Sequence, residues 1–131
     1  MEDIIKLLNE MDDFDCLDGA SQEEIEIAEA DLNLRFAPDY KEYLLKCGLA
    51  SAAGHEFTGI VKSPRLNVVD VTAKIQKRIK GLPSKSYVVE ELNIDNIAIL
   101  QTSDGAIYEA APDKSAKKIA DSLIEYLKDN K

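Results

Sequence analysis

Histidine is scarce in this chain: there is one, His55, in 131 residues. Cysteine is nearly as scarce, at two, and tryptophan is missing. One histidine and two cysteines without C-x-x-C spacing exclude a cysteine–histidine zinc site. No run nears the roughly 20 apolar residues that span a bilayer. There is no G-x-S-x-G elbow, no Walker A loop and no dinucleotide glycine fingerprint. The other shortage is positive charge, and it is local. Residues 1–60 hold 15 Asp/Glu against 4 Lys/Arg, a net of −11. Residues 61–131 hold 10 against 12, a net of +2. The whole-chain charge of −9 therefore belongs to the N-terminal half. Such a field repels nucleic acid and speeds encounter with a basic protein. An acidic surface also serves simply to keep a protein soluble.

The length suits one domain, residues 1–131, with a real hydrophobic core. The opening Met1-Glu2-Asp3 is acidic where a secretory signal is positive, which points to the cytoplasm. There Cys16 and Cys47 are expected as reduced, partly buried thiols.

The chain is organised around Ser21 to Gly48. Ser21 and Glu24 have the spacing of a capping box. Ile25, Ala28 and Leu32 then recur at helical spacing. Pro38 disfavours helix at Ala37 but suits the first turn of a second helix. That helix puts Tyr40, Leu44 and Cys47 on one face, with Tyr43 beside them. Gly48 is expected to end it in the left-handed conformation.

Before this pair, Ile4, Ile5, Leu7, Leu8 and Met11 predict a short helix. The DDFDCLDG segment reads as a turn-rich linker. Its aspartates lack the alternation, sixth-position glycine and twelfth-position glutamate of a calcium loop. After the pair, Ala50 to Gly54 reads as a loop and Phe57 to Val61 as a strand. Asp70 is expected to cap a helix with Val71, Ile75 and Ile79 inside. Its outer face carries Lys74, Lys77, Arg78 and Lys80, with no aromatics interleaved for nucleic acid. Strands are predicted at Ser86–Glu90 and, centrally, at Ile97–Gln101. Asp104-Gly105 marks a hairpin whose return strand is Ala106–Ala110. A last helix is expected from a Ser115 cap, with Ala116, Ile119, Ala120, Leu123 and Leu127 on one face and Lys128 and Lys131 at its end. The order predicts an α+β domain: one mostly antiparallel sheet with helices packed on it.

Several of these residues form a pattern that resembles the SUKH superfamily. They are Ile25 and Glu29, then Pro38-Asp39-Tyr40-Lys41, Leu44 and Gly48. Asp104-Gly105-Ala106-Ile107-Tyr108 and the helix from Ile119 to Leu127 complete it. Ala37 stands where members usually carry leucine. The resemblance implies one SUKH-like domain without catalytic activity. It implies an immunity protein that binds a polymorphic toxin, or a regulatory adaptor like the fungal cell-wall regulators.

The residues themselves give little for an enzyme. Ser51 with His55 and Cys47 with His55 are dyads on paper only, without a motif around either. Glu90 and Glu91 are strand neighbours and point to opposite faces. The expectation is a binding module with no cofactor, no metal, no nucleic acid and no membrane. Its partner is a protein, a basic one if the acidic half meets it. The densest carboxylates are Asp12, Asp13, Asp15, Glu23, Glu24 and Glu26, and they are the candidate contact residues. Asp12 to Asp15 sit on the linker and Glu23 and Glu24 at a helix N-terminus, so the six can lie close together.

Overall fold

The computed structural model describes residues 3–92 and 94–130. Met1, Glu2 and Lys131, which entered the reading above, lie outside the described residues. In chain order the elements are α1 (Ile4–Asn9), β1 (Asp15–Asp18), α2 (Gln22–Leu32), α3 (Pro38–Lys46), β2 (Cys47–Ala52) and β3 (His55–Glu56). Then come α4 (Val68–Arg78), β4 (Ser86–Glu91), β5 (Ala98–Thr102), β6 (Ile107–Ala111), β7 (Lys114–Ala120) and α5 (Leu123–Asp129). The class is α+β, as expected. The strands form two antiparallel ladders, β1-β2-β3 and β4-β5-β6-β7. A single antiparallel bridge, Phe57 to Glu90, joins them. The expected single sheet is thus two ladders meeting at one seam.

Local chemistry explains the helix pair. Ser21 Oγ accepts from the Glu24 amide at 3.1 Å, and Glu24 accepts from the Ser21 amide at 2.9 Å. Asn33 ends α2 in the left-handed region, at φ 55. Pro38 opens α3 at a position that needs no N–H donor. Tyr40, Leu44, Ile99 and Leu123, on four different elements, are all buried. Around Tyr40 the aromatic rings pack edge-on or tilted: Phe36 at 5.1 Å, Tyr87 at 4.9 Å and Tyr43 at 5.4 Å. Asp104 accepts from Thr102 Oγ1 and from the Ala106 amide, and Gly105 takes φ 105, so the Asp-Gly turn forms as predicted.

Six expectations are corrected. Gly48 does not end α3 in a left-handed turn. It lies inside β2, which starts at Cys47 with no loop between helix and strand. The small residues after it are strand, because β2 passes backbone to backbone against its neighbours. A Cβ on Gly48 would meet Asp18 O at 2.6 Å. Only Ala53 and Gly54 turn the chain, both at positive φ. Phe57 to Val61 forms no continuous strand. Its amides serve three neighbours in turn: Thr58 N to Val89 O, Gly59 N to Leu66 O and Ile60 N to Gly48 O. The α4 cap is Asn67, whose Oδ1 accepts from the Val69 and Asp70 amides. Asp70 instead sits in the first turn, where its charge suits the dipole.

Residues 114–120 are strand β7, not helix. Ala116, Ile119 and Ala120 have helical spacing, but the Pro112-Asp113 turn folds the segment back along β6. Pairing satisfies the backbone groups of β6, and that outweighs a weak local pattern. The helix starts at Ser122, whose Oγ accepts from the Glu125 amide at 3.0 Å. Finally, the acidic linker is not all turn. Asp15–Asp18 pairs with β2, and its residues are all exposed.

Candidate partner-binding surface

The six candidate carboxylates are all exposed. Among the described residues none of them forms an ion pair. They fall into two groups. β1 lies antiparallel to β2, with Asp15 opposite Ser51 and Asp18 opposite Cys47. Asp12, Asp13 and Asp15 therefore sit at the end of β1 beside the Ala53-Gly54 turn. The Ala53 amide donates to Asp12 O at 2.6 Å there. Glu23, Glu24 and Glu26 lie beyond the opposite end of β1, on α2. Glu24 is engaged in its capping box, and Glu26 accepts from Gln22 at 3.0 Å. The strand reading of Asp15–Asp18 adds three exposed residues that the sequence did not single out as contacts, Cys16, Leu17 and Asp18. Leu17 is 56% exposed. Its only signal in the sequence was a lone leucine among aspartates.

Several residues of the superfamily pattern hold the fold together, while Pro38 and Asp104 are exposed. Glu29 accepts from the Phe36 amide at 2.8 Å and so holds the α2–α3 corner. Asp39 accepts from Gln101 Nε2 at 2.9 Å, from the Tyr40 amide at 2.8 Å and from the Leu123 amide at 2.8 Å. One carboxylate thus ties α3, β5 and the start of α5. Thr58 Oγ1 donates to Val88 O, so Tyr40 donates to Thr58. Tyr43 donates to Thr58 O and accepts from the Ala50 amide. These groups build the fold.

His55 stands apart from both paper dyads. Its Nδ1 faces the Glu90 carboxylate at 2.9 and 3.0 Å, and its Nε2 faces Asn130 O at 2.7 Å. Phe57 stacks on the ring at 5.5 Å. Ser51 pairs with Glu56 on the ladder, and Cys47 lies in the core. Glu90, buried, also accepts from Tyr126 at 2.7 Å. Both ring nitrogens face acceptors, which only the doubly protonated imidazolium satisfies. The Glu90 hydrogen bond raises the His55 pKa above its ordinary value, against the lowering effect of burial. Glu91, on the opposite face, pairs with Lys74 and Arg78 of α4.

The sign of the pH effect follows. A raised folded pKa contributes stability that is complete below the unfolded value of about 6.5 and is lost as pH rises through the folded value. The melting temperature of the native chain should therefore fall more between pH 6 and pH 9 than that of His55→Gln. Parallel thermal melts check this. Identical slopes would mean that folding leaves the His55 pKa unchanged.

The two cysteines are free thiols; Cys47 is buried, and Cys16 is exposed rather than partly buried. Burial, with Cys16 beside it, pushes the Cys47 thiol up to about 12. That leaves it protonated and inert. Among the described residues no His, Cys, Asp and Glu group could hold a metal ion, and no helix is long and apolar enough to cross a membrane.

No curated protein matches this sequence significantly. A family model does: the one described as SUKH_5, SMI1-KNR4 cell-wall, aligns with residues 1–130, so the chain belongs to the SUKH family.

Proposed function

We propose that this is an immunity protein: it binds a cognate protein toxin one to one, covers its active site and breaks no bond. Family membership supports a protein-binding role. The observation that carries the finer reading is the uneven charge, −11 in residues 1–60 against +2 in the rest. A toxin that acts on nucleic acid needs a basic site to hold phosphate, and a matching acidic face competes for it. The six exposed carboxylates, free of ion pairs among the described residues, are available for that contact. Binding without turnover fits His55, whose two ring nitrogens are held by Glu90 and Asn130.

Surface plasmon resonance against the toxin encoded beside this gene tests the reading. Association should slow as salt rises, while dissociation changes less. Reversing Asp12, Asp13 and Asp15 to Lys should slow association by roughly tenfold or more. Folding should be nearly unchanged, since exposed charges seldom affect stability by more than about 0.5 kcal/mol. An association rate indifferent to both salt and the reversal would place the contact elsewhere.

The family description, with its cell-wall term, favours a second reading, a regulatory adaptor with no toxin partner. A neighbouring gene that encodes no toxin, and a bound partner from another pathway, would decide for it.

A further inference from the structure

The two ladders, joined at Phe57–Glu90, run in the order β1-β2-β3 and then β4-β5-β6-β7. That leaves two outer edges, β1 and β7. An open edge presents unpaired N–H and C=O groups to any strand that approaches. The two edges are dressed differently. β7 carries Lys114, Lys117 and Lys118, all exposed, in the manner of a guarded edge. β1 reads Asp-Cys-Leu-Asp, with Asp12 and Asp13 just before it. Cys16 stands opposite Ala50 on the ladder and is exposed like the rest of β1. Leu17, its neighbour on the strand, faces solvent.

From this contrast we infer that β1 is a strand-addition site: an extended, lysine- or arginine-bearing segment of the protein partner pairs along it as an added strand. The inference rests on the protein-binding reading above and names how that partner is held. Main-chain hydrogen bonds would supply the affinity, and alternate side chains the specificity. Asp12, Asp13, Asp15 and Asp18 favour cations on the incoming strand, as opposite charges do across a ladder. Leu17 offers an apolar patch for one of its side chains. The same aspartates repel a second β1, so the edge is closed to its own copy and open to a basic strand. A basic partner is correspondingly turned away from β7.

An eight-residue peptide of alternating lysine and valine, capped at both ends, is the probe. Titrated into the labelled protein, it should shift amide resonances of residues 14–18 and slow their hydrogen exchange. Full N-methylation of the peptide keeps its charge and removes its donors; it should weaken binding at least tenfold. Leu17→Asp should also weaken binding several-fold while leaving the melting temperature within a few degrees. A glutamate–valine peptide should not bind. Equal binding by the methylated peptide would reduce the effect to plain charge attraction and overturn strand addition. Shifts confined to β7, or self-association of the protein through β1 and β7, would overturn it as well. If the peptide fails while the toxin still binds in plasmon resonance, strand addition falls and the immunity reading stands. If neither binds, both fall.

Discussion

Gly59→Ala should cost about 3 kcal/mol of stability or more, the upper end for overpacking. A Cβ at Gly59 would stand 1.9 Å from Gly48 O, 2.9 Å from Gly48 C and 3.0 Å from Leu49 Cα. All three are backbone atoms of β2 and cannot rotate away. Nor can the Gly59 segment slide, because its amide donates to Leu66 O and its carbonyl accepts from Val68 N. Gly19 is crowded in the same way, with Leu45 O 1.9 Å from its virtual Cβ. Gly54 is the control. Nothing lies within 4 Å of its virtual Cβ, and it sits at φ +83, so alanine there pays only a conformational cost of about 1–2 kcal/mol. Urea denaturation of the two variants gives the comparison. Equal midpoints would show that β2 yields to the new methyl group.

The second large effect is expected at Asp39. Asp39→Ala should destabilise by roughly 3–4 kcal/mol, since hydrogen bonds to a charged acceptor are worth about 1.5–3 kcal/mol each. It removes the acceptor for Gln101, which is fully buried, and for the first amide of α5. Gln101 keeps Gly105 O and the Tyr87 hydroxyl as partners, so the hairpin side of the network survives in part. Asp39→Asn should cost about half as much, because its amide oxygen still accepts while its NH₂ group faces a donor. Denaturation measures the cost, and hydrogen exchange locates it. Faster exchange at Leu123 is expected, and unchanged exchange there would contradict the cross-link.

Both effects fall on residues that the sequence partly revealed. Asp39 belonged to the recognisable Pro-Asp-Tyr-Lys run, yet its reach to Gln101 and Leu123 spans the whole fold and has no local signature. Ser21 with Glu24, Pro38, and Asp104-Gly105 could be read because each acts within a few residues of itself. β1, β2 and β7 could not. Their short strands exist because a neighbour supplies hydrogen-bond partners, and Asp15–Asp18 and Lys114–Ala120 carry little apolar patterning of their own. Gly48 shows the same limit. It suggested a helix end, while its actual reason is an oxygen atom from Asp18. For the candidate surface, exposure of the six carboxylates could be read from their charge. Their division between the two ends of β1 could not, because the course of β1 was set by β2.

α1 and α5, at opposite ends of the described chain, pack on each other. Ile4 and Leu8 share a small void with Tyr40, Tyr43, Phe57, Val89, Leu123 and Leu127. This has a consequence during synthesis. At about 5–20 residues per second, the ribosome releases α5 roughly 6–24 s after α1. Throughout that interval α1 has α3 to pack on but lacks α5. The nascent chain can build the α2–α3 pair early, but the layer formed by α1 and α5 closes only once α5 has emerged. A chain cut short before Leu123 would leave bare the part of the apolar face of α1 that α5 covers, a surface that chaperones and proteases recognise.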